Sequence, residues 1–142
     1  MAEVITINSK VIMKGNAKGA ALVSPVNFSY YAGVDPATAI VVDPHSVLKG
    51  ENVTGKVLVY ETGKSSTANC WYMYTMGKRG NAPAAVINTK LDPIQVMGAV
   101  CGEIPMFLVD PSVEPDPTKV IENGDMVEID GETGVITVTK KQ

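Results

Sequence analysis

Gly55-Lys56-Val57-Leu58-Val59-Tyr60-Glu61-Thr62-Gly63-Lys64-Ser65-Ser66-Thr67 passes from an apolar block into a turn of small and hydroxylated residues. The run Val57 to Tyr60, inside a strand drawn from Gly55 to Thr62, has high strand propensity and no polar alternation, which predicts a buried strand. Ser66 to Lys78 then lacks proline and sets Cys70, Met73, Tyr74 and Gly77 near the i, i+3, i+4, i+7 spacing of one helix face. Ser65, Ser66 and Thr67 are candidate N-caps, and Gly77 with Gly80 supplies a stop. Strand, polar turn and helix in that order open a crossover.

The next segments continue it. Ala84 to Asn88 is an apolar strand, and Asp92-Pro93 pairs an N-cap with an N1 proline to start a helix reaching about Cys101. Met106 to Val109 is a further buried strand that ends at Asp110-Pro111. The centre therefore reads β-α-β-α-β, which favours a parallel layer with helical crossovers. Towards the N-terminus, Val4 to Met13 alternates in part and predicts one half-exposed strand. Ala20 to Val23 and Ala39 to Val42 are shorter strands, stopped by Pro25 and Asp43-Pro44, with a loop from Tyr31 to Pro36 between them. After an acidic, proline-rich surface loop from Pro111 to Thr118, Met126 to Ile129 and Val135 to Thr139 predict a hairpin. These outer strands form a second, antiparallel layer, and residues 1–142 read as one mixed α/β domain.

Composition bounds what that domain can do. The 142 residues carry 12 Lys+Arg against 15 Asp+Glu, a net charge of −3, so no basic surface is offered to nucleic acid or anionic lipid. Cys70 and Cys101 are the only cysteines and His45 the only histidine. That set cannot build a zinc finger or a four-cysteine iron–sulfur site, so no metal site is expected in this chain. No apolar run approaches the ~20 residues of a membrane span. Sparse cysteine, with no basic and apolar leader in Met1-Ala2-Glu3, makes the cytoplasm the expected location.

The Gly63-Lys64-Ser65-Ser66-Thr67 turn carries the chemistry. Its Gly-Lys-Ser ends like a P-loop, but the glycine needed five residues before Gly63 is Leu58. Three readings stay open: a polar cap, an anion site in which helix-start N–H groups and Lys64 converge, and a serine base whose alkoxide that field stabilises. Cys70 and Cys101 read as buried structural residues, and His45, after Asp43-Pro44, as a surface histidine. The methionines and Trp71-Tyr72 are expected to pack the core, with any exposed remainder available to a subunit interface.

Taken together these segments resemble the small, swivelling-domain subunit of the aconitase X family, from about Gly19 to Ile129. The similarity lies in Tyr31-Ala32-Gly33-Val34-Asp35-Pro36 with Asp43 and His45, in Gly55 to Val59 leading into Gly63 to Thr67, in Ala82 to Asn88, in Asp92-Pro93-Ile94, and in Gly98-Ala99-Val100 with Ile104-Pro105. Ser65 and Ala32 stand where the family has glycine, and Lys64 where arginine is common. The resemblance implies an aconitase-type swivelling β/β/α domain, one parallel and one antiparallel sheet with helices outside. It also implies a two-subunit hydro-lyase in which a large partner subunit holds an iron–sulfur cluster. This chain would bind no cofactor, supply Ser66 as the base, and meet a small anionic substrate through Gly63, Lys64, Ser65 and Thr67. Asn88 and the Asp92 and Ile104-Pro105-Met106 runs look closest to archaeal-type members that dehydrate (R)-5-phosphomevalonate. Members acting on cis-3-hydroxy-L-proline are the alternative, and a non-catalytic anion-binding or regulatory scaffold is another.

Overall fold

The computed structural model describes residues 3–64 and 66–141. Ten strands and three helices follow in the order β1 Val4–Asn8, β2 Lys10–Met13, β3 Ala17–Val23, β4 Asn27–Phe28, β5 Val57–Tyr60, β6 Thr62–Gly63, α1 Ala68–Arg79, β7 Ala85–Asn88, α2 Pro93–Gly102, β8 Met106–Leu108, α3 Pro117–Val120, β9 Met126–Ile129 and β10 Val135–Thr139, counted among the described residues. Eight strands form one sheet in the order β1-β10-β9-β3-β5-β7-β8-β2, and β4 and β6 pair separately.

The parallel and antiparallel layers are two halves of this sheet, joined through β3. Its first part, Ala17 to Ala20, pairs antiparallel with β9, and its last part, Ala21 to Val23, pairs parallel with β5. The single predicted strand from Val4 to Met13 is interrupted at Ser9, whose N–H and Oγ–H both donate to the Gly134 carbonyl. On one side of this bend β1 pairs with β10, and on the other β2 pairs with β8. One continuous stretch of chain thus supplies both edge strands of the sheet.

The period-two alternation of β5 and β7 feeds two cores. Val57, Val59, Ala85 and Ile87 point into a cluster shared with Ile7, Phe107, Val127, Ile136 and Val138. Leu58, Tyr60 and Val86 point the other way, against Met73 and Met76 of α1, Ala99 of α2, and Phe28 and Tyr30. Each fully buried Leu, Ile, Met or Phe contributes roughly 1.5–3 kcal/mol of burial free energy, before the opposing entropy. The helices approach closely because Gly77, Gly98 and Gly102 line their seam: a Cβ at Gly98 would lie 2.6 Å from Met73 Sδ. α1 ends as expected at Gly80, which takes the left-handed φ of 79° that closes a helix. α2 begins as expected, with the Asp92 carboxylate accepting from the Ile94 N–H at 3.2 Å.

Several expectations are corrected. Ala39 to Val42 is not a strand but two isolated bridges, because Ala39 sits at φ 62° and breaks the extended run. The buried face of α1 is Asn69, Met73 and Met76, offset from the predicted Cys70 and Tyr74 stripe. The predicted surface loop ends in a short helix, with Pro117 at N1 and Asp116 capping Thr118. Cys101 is exposed and Cys70 half-buried, since Gly98, Gly102 and the methionines occupy the inward positions. Trp71 (68% exposed) and Met97 (56%) lie outside the core, whereas Met73, Met76 and Met106 fill it as expected.

Candidate functional site

The buried strand β5 delivers the chain through Glu61 to β6, whose pairing with β4 fixes the turn before α1. The Lys64 N–H extends that pairing by donating to the Phe28 carbonyl at 3.1 Å. Gly63 is there because nothing larger fits: an added Cβ would lie 2.5 Å from Gln95 Cδ and closer still to the Asp92 carboxylate. Gln95, fully buried on α2, donates through Nε2 to the same Phe28 carbonyl at 2.9 Å and accepts from the Tyr60 hydroxyl at 2.6 Å. The Tyr30 hydroxyl lies 3.3 Å from that of Tyr60, and burial pushes both phenols well above their ordinary range. They stay neutral and serve as rigid hydrogen-bonding props beneath the turn.

Asn69 ties the turn from the other side. Its Oδ1 accepts from the N–H groups of Tyr30 and Tyr31 at 2.7 and 3.1 Å, and its Nδ2 donates to the carbonyls of Lys64 and Ser66 at 2.9 and 3.2 Å. The Ser66 Oγ lies 3.3 Å from the Ala68 N–H, and Thr67 is the N-cap residue but makes no side-chain cap. The N–H groups of Asn69 and Cys70 close onto the Ser66 and Thr67 carbonyls at 3.0 and 3.2 Å, so the first turn of α1 keeps fewer donors for a ligand than the sequence implied.

Gly63, Lys64, Ser66 and Thr67 therefore sit together at the start of α1, with Lys64 and Thr67 exposed and Gly63 and Ser66 half-buried. Ser65 lies outside the described residues. Beside Lys64 opens a cavity of about 160 Å³, bounded across from it by Asp43, His45, Ser46 and Val47. His45 is exposed as expected, yet it stands on the wall of this cavity. Among the described residues no three His, Cys, Asp or Glu side chains converge as a metal site. Burial and the neighbouring Cys101 push the Cys70 thiol up.

The sequence profile of the aconitase X swivel domain matches residues 6–138. The chain belongs to the aconitase X swivel-domain family. A phosphomevalonate dehydratase small subunit from Methanosarcina acetivorans is 40% identical over 136 residues, covering 96% of this chain and 92% of that protein. Another from Methanocella arvoryzae is 43% identical over 128 residues, covering 90% of this chain and 95% of that one. The crystal structure of Thermococcus kodakaraensis aconitase X in its holo-form superposes with a TM-score of 0.84 at 33% identity, over 94% of this chain and 97% of that chain. The family fold expected from the sequence is thus the fold observed. No helix among the described residues of this swivel domain is long and apolar enough to cross a membrane.

Sequence reasoning missed Asn69, Gln95, Tyr30 and Tyr60 as the supports of the turn. The first two are amides at buried helix positions, and their polarity alone would place them on the surface.

Proposed function

We propose that this swivel domain is the small subunit of a two-subunit hydro-lyase that dehydrates (R)-5-phosphomevalonate to trans-anhydromevalonate 5-phosphate. The observation that carries this reading is full-length similarity to proteins named phosphomevalonate dehydratase small subunit, joined to an exposed Lys64 and a half-buried Ser66 at one helix start. The reaction removes a proton from the carbon beside the carboxylate and hydroxide from the next carbon. In this reading the large subunit carries the iron–sulfur cluster, and this chain's part is confined to binding and proton transfer.

Ser66 is the proton acceptor. A serine hydroxyl is a weak base until its alkoxide is stabilised, and the positive end of α1 with the nearby Lys64 ammonium supplies that field. Gly63, Lys64, Ser65 and Thr67 bind the anionic substrate around it. Lys64 is held through its N–H on the Phe28 carbonyl, and Asn69 ties the carbonyls of Lys64 and Ser66, so these two residues are positioned before substrate arrives.

The test is reconstitution with the large subunit. The assembled complex should dehydrate 5-phosphomevalonate faster than cis-3-hydroxy-L-proline, and this chain alone should turn over neither. The reverse preference moves the assignment to hydroxyproline. A complex whose turnover survives loss of Ser66 and Lys64 reduces this chain to a scaffold.

A further inference from the structure

We propose that the cavity between Lys64 and the Asp43–Val47 turn seats the phosphoryl group of the substrate, leaving the helix-start turn to the carboxylate. This assignment rests on the reading above that the substrate is a phosphorylated hydroxy acid.

Chemistry separates the two anionic ends. Only the C–H beside the carboxylate is acidified, so the carboxylate must lie where Ser66 can reach its neighbouring carbon. The phosphoryl group, at the far end of the same carbon chain, needs a second site one short chain away. The cavity adjoins the turn at Lys64, and its volume of about 160 Å³ suits one compact group. That is the space of roughly five waters.

The donors and acceptors of its walls also point to an anion. Ser24 Oγ donates to the Asn27 carbonyl at 3.3 Å and Ser29 Oγ to the Tyr31 carbonyl at 2.9 Å, so neither offers its proton to a ligand. Ser46 differs: its Oγ accepts from the Leu48 N–H at 3.1 Å, which leaves the hydroxyl proton to donate. The Lys64 ammonium makes no ion pair among the described residues, and the imidazole of His45 completes the set. Asp43 is the single carboxylate in the lining, and its Oδ1 is engaged by the His45 N–H at 2.9 Å. It shapes the turn that presents His45 and Ser46. Val26 and Val47, 61% and 69% exposed, form part of the apolar lining beside them. A covering subunit would bury these valines and exclude water, strengthening every charge-assisted bond inside.

The experiment uses the assembled complex with 5-phosphomevalonate as substrate. His45→Gln and Ser46→Ala should each raise KM about tenfold while kcat stays within about twofold, the loss of one hydrogen bond to the anion. Asp43→Asn, which keeps the acceptor for the His45 N–H, should leave KM unchanged or lower it. Unchanged KM in both donor variants overturns the assignment, as does a tenfold rise in Asp43→Asn, which would mark the cavity as a site for a cationic group. A wild-type complex inactive on 5-phosphomevalonate instead overturns the functional reading. The cavity is then judged on this chain alone, by inorganic phosphate titration against chloride of equal ionic strength. His45 is the only histidine, so its ring NMR signals are assigned by composition. A saturable shift that Ser46→Ala weakens supports the site, and no saturable shift overturns it.

Discussion

The Nδ2 of Asn69 donates to the carbonyl oxygen of Lys64 at 2.9 Å from a side chain with no solvent exposure. The same amide nitrogen reaches the Ser66 carbonyl, so both oxygens are drawn inward, away from where an anion would sit. Asn69→Asp keeps the acceptor for Tyr30 and Tyr31 but turns two attractions into repulsion. The expected result in the assembled enzyme is a fall in kcat of at least tenfold in the folded fraction, with a stability loss of about 1–3 kcal/mol. Asn69→Ala should cost more stability, because it also orphans two backbone N–H groups. A variant with lowered melting temperature but wild-type kcat would show that Asn69 supports the fold and not the turn.

Ala32 occupies φ 60°, the left-handed region that glycine enters without penalty. The aconitase X resemblance puts glycine at this place, and the chain has kept the geometry while adding a Cβ. Ala32→Gly should therefore stabilise the protein by up to about 1 kcal/mol, the relief of backbone strain less the greater entropy of an unfolded glycine. Urea unfolding of the two proteins checks this. A loss of stability in the glycine variant would show that the Ala32 side chain contributes more than its strain.

How far the sequence reached follows from which interactions are local. β5, β7, β8, α2 and the β9–β10 hairpin were legible because apolar runs, an Asp-Pro start and two Asp/Gly turns all act within a few residues. The break at Ser9 was not, because its partner is Gly134, 125 residues away. The place of Gly63 and Lys64 in the turn between β5 and α1 was legible from the strand-turn-helix order, but the amides that hold that turn were not. Asn69 and Gln95 are polar, so a count of apolar periodicity assigns them to the surface, and only tertiary partners reveal them as core. Lys64 and His45 come to line one cavity only through the fold, which no spacing encodes.

Acid should unfold the protein partly through Asp125. Burial pushes this carboxyl up, but the Lys140 ammonium and the N–H groups of Glu122 and Lys141 outweigh that and hold it below the usual carboxylate range. A depressed native value means the contribution is complete above the unfolded value of about 3.9 and disappears as pH falls through the lower native one. Asp125→Asn should cost about 2 kcal/mol at pH 7 and progressively less below about pH 4. Urea titrations of both proteins at several pH values measure the gap, and a gap independent of pH would exclude an ionic origin.

Ser66 separates a base from a cap. Its Oγ lies 3.3 Å from the Ala68 N–H, at the long end of a capping bond, and the N-cap position itself belongs to Thr67, which makes no side-chain cap. A hydroxyl committed to capping would hold that N–H closely, and its loss would cost about 1 kcal/mol of stability with catalysis intact. A base loses little stability and much rate. Ser66→Ala in the assembled enzyme should therefore change stability by less than about 1 kcal/mol and lower kcat by something like 10²–10⁴-fold. Ser65→Ala, measured beside it, should lower turnover less. If Ser65→Ala abolishes turnover while Ser66→Ala does not, the base is the neighbouring serine. If neither change alters kcat, proton removal falls to a residue of the partner subunit, and the turn serves to hold the substrate anion.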